Sequence, residues 1–195
     1  MHKLSGGTIE KIASLVLSVI VVSVFSSFVQ TSRAEQMSAN GVQQIDQQIA
    51  EQLQKVKELQ LKKFASQTAP FSDEDLVKLL MAVGFEGKNL NKAYAVAKKE
   101  THGNPKSYNN NRTTGDNSYG LFQINMIGQL GVDRREKYNL INNEELFNPV
   151  VNAKIAYQMS SQGDDWTSWH IGVGNHEQQA VFQYWYDQMP KGVTL

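Results

Sequence analysis

Glu100 closes the stretch LNKAYAVAKKE, residues 90–100, in which Leu90, Ala93, Tyr94, Val96 and Ala97 form one apolar stripe if the chain is wound as a helix. Lys98 and Lys99 point away from that stripe. Glu100 returns to its edge, roughly 50° from the centre at about 100° per residue. A carboxyl group in the last turn of a packed helix is expected to be partly desolvated. Desolvation and the negative end of the helix dipole both favour its neutral form. A glutamate becomes a general acid in this way, able to hand a proton to a leaving oxygen. The plainer alternative is a solvated glutamate at a frayed helix end. Further along, GDNSYGLFQINM, residues 115–126, opens on turn-formers and then sets Gln123 and Asn125 into an apolar run. Amides near a core need partners or a ligand. His102, His170 and His176 lack the i, i+4 spacing of a zinc helix, so no metal is implied. Ser118 lacks the glycine-flanked setting of a nucleophilic serine. The aromatic run Tyr184, Trp185 and Tyr186 reads as core.

These residues need elements to hold them. Ser72 with Asp75 resembles a capping box, with Asp where Glu or Gln is usual, and starts a helix through about Val83. Asn89 is placed to cap a second helix over residues 90–101, which carries Glu100. Residues 102–118 are polar and rich in Gly and Asn, and read as a long loop or a small hairpin region. Helical stretches are expected near residues 121–130, 144–147, 149–161 and 176–188. Asn148 caps the third of these, with Pro149 at its first position. The domain is expected to be mainly α, with little or no sheet.

The 195-residue chain has a formal net charge of zero and no cysteine. Neither a nucleic-acid-binding tail nor a disulfide framework is indicated. Three segments follow from the patterning. Residues 1–34 contain the uncharged run IASLVLSVIVVSVFSSFV, residues 12–29, long enough for a short membrane-spanning helix. Lys3 and Lys11 precede it, which favours an exported remainder. Residues 32–34, SRA, offer a signal-peptide cleavage site as the rival reading. A buried core helix is the third reading, weakened by the lack of an amphipathic pattern. Residues 35–69 read as a helical spacer. In it Val42, Ile45, Ile49, Val56 and Leu59 follow heptad steps, interrupted by Gln52, consistent with self-association through residues 42–59 or with a solvated helix. Pro70 marks the boundary with a globular domain over residues 70–195.

Taken in order, KKET at residues 98–101, GDNSYGLFQIN at 115–125 and LFNPVVNAKIAY at 146–157 resemble the lysozyme-like superfamily. The likeness is greatest to the soluble lytic transglycosylase type of domain, especially the versions carried by bacteriophages. YGLFQIN is also similar to the corresponding stretch of animal c-type lysozymes. The resemblance covers residues 76–169, about half the chain. It implies an α+β lysozyme-like fold and a peptidoglycan-cleaving enzyme without a cofactor, acting on glycan strands. Glu100 matches the catalytic glutamate, with Thr101 where the family usually has Ser. Gly120, Leu121, Phe122 and Gln123 match the motif lining the glycan cleft, and Tyr119 and Asn125 belong to the same wall. Asn148, Pro149 and Asn152 match the motif that opens the next helix. Where relatives often carry a Tyr near the glutamate, this chain offers Trp166 and Trp169. On this reading Gln123 and Asn125 hydrogen-bond sugar N-acetyl and hydroxyl groups, and Tyr119 and Phe122 pack against sugar faces, while Leu121 and Ile124 are core.

Hydrolysing glycosidases usually employ two carboxylates. In c-type lysozymes an Asp precedes the Tyr-Gly of this motif, and here that position is Ser118. Asp116, two residues earlier, reads as part of a Gly-Asp-Asn turn. A single glutamate suits a lytic transglycosylase, in which the C6 hydroxyl of N-acetylmuramic acid replaces water. The alternatives are a muramidase, a bacterial wall-remodelling enzyme of a secretion or conjugation apparatus, and a non-catalytic glycan-binding protein.

Overall fold

The computed structural model describes residues 39–111 and 113–195. The uncharged run at residues 12–29 and the cleavage site at 32–34 lie outside them. Among the described residues no helix is long and apolar enough to cross a membrane. Among the described residues Ile49–Leu195 forms one compact unit, and residues 39–48 fall outside it.

Helix α1, Ala39–Ala65, forms over the expected spacer. Val42, Ile45, Ile49 and Leu59 are exposed, as is Leu53. Phe64, near the C-terminus of α1, is fully buried and packs at a tilt against Phe71, ring centroids 5.4 Å apart. The last turn of the spacer therefore belongs to the core, and Pro70 does not separate it from the globular part.

Helix α2, Asp73–Val83, starts where Ser72 accepts the amide of Asp75. The acids Asp73, Glu74 and Asp75 in its first turn complement the helix dipole. The Asp75 carboxylate pairs with Lys63 of α1 at 3.2 Å. Leu76, Val77, Leu79 and Leu80 face inward.

Helix α3, Gly87–Thr101, starts earlier than expected, at an N-cap Glu86 that makes no side-chain cap bond. Asn89 is not its cap. Its amide instead donates to the Gln162 carbonyl and to Asp164 Oδ1, because that loop packs against the helix start and supplies stronger partners. Helix α3 closes on His102 in the left-handed region, with its N–H returned to the Lys98 carbonyl.

A three-stranded antiparallel sheet follows: β1 Tyr108–Asn109, β2 Ser118–Tyr119 and β3 Ile124–Asn125. Its register aligns Tyr108, Tyr119 and Ile124 in one row and Asn109, Ser118 and Asn125 in the other. The helix expected over residues 121–130 does not form. Gly120 at φ +71° and Gln123 at φ +47° turn the chain tightly between β2 and β3. A side chain at Gly120 would stand 2.1 Å from the Leu146 carbonyl oxygen and 2.4 Å from Asn152 Nδ2. The apolar spacing of Leu121, Phe122 and Ile124 reflects three core contacts from a turn and a strand, not a helical stripe.

Helix α4, Gly128–Tyr138, occupies the polar stretch after the sheet. A 3-10 turn at Asn143–Phe147 is held by a capping box between Asn142 and Glu145. Helix α5, Pro149–Met159, has the expected Asn148 cap, accepting from the Val150 and Val151 amides at 3.0 and 3.4 Å. A second 3-10 turn, Thr167–Trp169, leads to α6, His176–Gln188, capped by Asn175. Helix α6 packs along α3 and has no fully buried residue of its own.

Candidate active site

Glu100 lies in the last turn of α3 with its side chain 21% exposed, closer to the partly desolvated than to the frayed-end alternative. The residues on either side of it fix its position. Thr101 is buried, and its hydroxyl lies 2.9 Å from the Leu121 carbonyl and 3.1 Å from that of Ala97. One hydrogen bond thus ties the end of the acid-bearing helix to the β2–β3 turn. Lys99 does not point into solvent, as the wheel had placed it. Its side chain is only 12% exposed, and its ammonium sits 2.7 Å from Glu100 Oε1 and 3.4 Å from the Trp169 carbonyl. Lys98 is buried too. It pairs with Asp73 at 2.8 Å and lies 4.6 Å over the Trp185 ring. A wheel treats one helix in isolation, and α6 covers the face it assigned to water. Beneath this layer Tyr94 is fully buried, and burial, reinforced by the Asp73 charge, pushes its phenol above the usual range.

The sheet contributes a row of polar groups. The Asp116 backbone N–H closes the preceding turn onto the Asn111 carbonyl at 2.9 Å. Its carboxylate is also fixed: Oδ1 accepts from Ser118 Oγ at 2.5 Å and Oδ2 from Asn109 Nδ2 at 2.9 Å. A carboxylate is therefore anchored beside Ser118. Asn125 Oδ1 accepts from the amides of Ile127 and Asn117, and its Nδ2 donates to the Gly115 carbonyl. Its amide clamps the loop to the sheet, a role the sequence reading had given to sugar groups. Gln123 Nε2 donates to the carbonyls of Gly120 and Ser107 at 3.0 and 3.2 Å, leaving Oε1 for a ligand.

Asn152 is the centre of this construction. Fully buried, it accepts from the Phe122 amide at 2.8 Å and donates to the Tyr119 and Leu146 carbonyls at 2.9 and 3.0 Å. The bonds to Phe122 and Tyr119 hold the turn that Gly120 permits, and the bond to Leu146 ties it to the 3-10 turn. Asn148 acts as a helix cap. Tyr119 is nearly buried and packs with Tyr108 at 4.7 Å and Phe147 at 5.4 Å.

Phe122, expected to face a sugar, and Trp166 and Trp169, offered as substitutes for a Tyr near the glutamate, are core. Phe122 is fully buried, and Trp166 and Trp169 nearly so. Trp166 stacks between Phe85 and Phe122, each at 6.0 Å, and its indole N–H donates to the Gly163 carbonyl. The Trp169 N–H donates to the Phe122 carbonyl at 2.7 Å. Each indole has its N–H satisfied internally, and none of the three rings has an open face. Conversely, Tyr184, read as core, is 57% exposed on α6. Sequence reasoning missed Lys99 and Asn117, whose Nδ2 donates to the Met126 carbonyl, and noted Thr101 without giving it a bracing role. The hydroxyl in KKET was the available signal for Thr101. None existed for Lys99, whose placement depends on an element far along the chain.

Residues 77–171 match the family model described as "Lysozyme like domain". No curated protein and no solved structure matches the chain.

Proposed function

From a lysozyme-like domain that points to peptidoglycan as its target, we propose a lytic transglycosylase that cleaves the β-1,4 bond between N-acetylmuramic acid and N-acetylglucosamine. The observation that carries this reading is Glu100, half-exposed at a helix end braced to the β2–β3 turn, with Ser118 where a lysozyme has its second acid. Glu100 protonates the departing N-acetylglucosamine O4 as the C1–O bond breaks. The substrate's own N-acetyl group stabilises the positive centre at C1. The Glu100 carboxylate then takes the proton of the C6 hydroxyl as O6 bonds to C1, closing a 1,6-anhydro ring and restoring the acid. No water is consumed, and attack by a group already held in the same sugar is favoured by proximity.

The anchoring of Asp116 favours a second reading, a two-carboxylate muramidase in which Asp116 activates water or stabilises the cation. Mass spectrometry of the products from purified sacculi decides between them. The transglycosylase releases muropeptides lighter by one water, ending in 1,6-anhydro-N-acetylmuramic acid. Reducing-end products alone would establish the muramidase. A zymogram without clearing by the folded chain would instead point to a glycan-binding protein.

For the rest of the chain we propose export or membrane anchoring through residues 12–29, which places the domain on the peptidoglycan side. The bacteriophage-like stretch at residues 114–126 supports a role in wall penetration during infection, or in lysis. Wall remodelling for a bacterial secretion or conjugation apparatus is the alternative.

A further inference from the structure

A pocket of about 370 Å³ is lined by Lys99, whose ammonium pairs with Glu100, and by Asn175, Glu177, Gln178 and Val181. Four of these five residues come from the start of α6 and its cap, beyond residue 171, where the match to the lysozyme-like domain stops. The volume falls within the range of ligand pockets, roughly 300–1,000 Å³. Its lining carries one charge of each sign, Lys99 and Glu177, with the half-exposed Val181 between the polar groups in composition. The glycan strand of peptidoglycan has hydroxyl and N-acetyl groups but no charge once its lactyl groups bear peptides. The peptide stems carry the charges, both carboxylates and, from their diamino acid, an ammonium group.

We propose that this pocket is a subsite for the peptide stem, with Lys99 taking a stem carboxylate, Glu177 an ammonium group, and Val181 the stem's alanine methyl. The proposal rests on peptidoglycan being the substrate and Glu100 the acid. The position of Lys99 gives the subsite a consequence for chemistry. In the free protein its ammonium is held by Glu100 at 2.7 Å. A stem carboxylate entering the pocket competes for the same ammonium and frees Glu100 to face the glycosidic oxygen. Occupancy by the stem is thereby coupled to release of the acid.

The test compares kcat/KM of the full chain on glycan strands bearing stems and on strands stripped of them by an amidase. The wild-type chain should prefer the stem-bearing strands. Val181→Trp, at a position exposed enough to accept the larger ring without refolding, should fill the pocket and lower that preference roughly tenfold. Lys99→Met should lower it as well, because a methionine neither binds a carboxylate nor restrains Glu100. An unchanged preference in both variants, or none in the wild type, overturns the proposal. A second measurement needs no turnover. Calorimetric titration of the wild-type chain with the tripeptide L-Ala-γ-D-Glu-meso-diaminopimelic acid should show binding that Val181→Trp abolishes. Absence of binding, or equal binding by both chains, overturns it. Failure of the underlying reading looks different: a folded Glu100→Gln chain would still cleave both kinds of strand.

Discussion

Glu100 is flanked by a lysine that holds its carboxylate and a threonine that holds its helix, so the acid's position is over-determined by its neighbours. Substitution by glutamine keeps the shape and the hydrogen-bonding reach but removes the proton. Glu100→Gln should fold normally and lose at least about a thousandfold in rate, because general acid–base catalysis supplies roughly 10²–10⁴ and one group here serves twice. Turbidity loss of permeabilised Gram-negative cells measures this, with circular dichroism as the folding control. Asp116→Asn separates the two mechanistic readings at the same scale. Asparagine can accept from Asn109 with its one carbonyl oxygen and donate its NH2 to Ser118 Oγ, which turns to accept, so the clasp survives while the charge goes. A transglycosylase keeps most of its activity, whereas a two-carboxylate muramidase dies while folded. The partial burial of Glu100 was legible in the sequence because helical winding is a local property, while its role came from the motif resemblance. The tryptophans were not. Whether an aromatic ring faces sugar or core depends on what stacks on its two sides, and Phe85 and Phe122 lie far from Trp166 in the chain.

Elements with a local cause were read correctly: α2 from its serine cap, α5 from Asn148 and Pro149, and α6 over residues 176–188. The turn between β2 and β3 was read as helix because its apolar residues share helical spacing, and only the left-handed backbone at Gly120 and Gln123 reveals otherwise. Asn152 holds that turn from another element. Asn152→Ala leaves the Phe122 amide and two carbonyls without partners in a dry interior, so a loss of about 3 kcal/mol is expected, read from the denaturant midpoint. Activity should fall with it, since the turn carries Gln123 and anchors Thr101. The loop before the second 3-10 turn has a pH dependence of known sign. Bonds from the Thr167 amide and then its hydroxyl hold the Asp165 carboxyl below the usual carboxylate range. A carboxylate with a depressed folded pKa stabilises fully above its unfolded value, roughly 3.9, and that contribution vanishes as pH falls through the folded value. Acidification below about pH 4 should therefore loosen the loop around Trp166 and Trp169. Tryptophan fluorescence should register the change, and Asp165→Asn should abolish this component of the titration.

At the scale of the whole molecule, the uncharged run at residues 12–29 and the lysines before it lead to the expectation that the full chain pellets with membranes when expressed in bacteria. Finding the uncleaved chain wholly in the soluble fraction would revive the reading of a buried helix. The other end of the chain presents the opposite case. Helix α6 lies outside the lysozyme-like match and has no fully buried residue, which would make it look dispensable. Its packing says otherwise. Phe182 and Met189 pack against the core, and Trp185 covers Lys98 and meets the His102 ring edge-on at 5.6 Å, sealing the end of the helix that bears Glu100. Partial burial of three large side chains is worth roughly 3–5 kcal/mol at about 25 cal/mol per Å². For a domain of this size each kcal/mol moves the melting temperature by roughly 2–4 °C. A chain ending at Gly174 should therefore melt about 10 °C lower than the full chain by the same reckoning. It should also cleave sacculi more slowly at temperatures where it remains folded, because Lys98 and Lys99 lose the cover that orders the last turn of α3. Calorimetry and a turbidity assay on the two chains make the comparison. An unchanged melting temperature would mean that α6 only rides on a core complete without it.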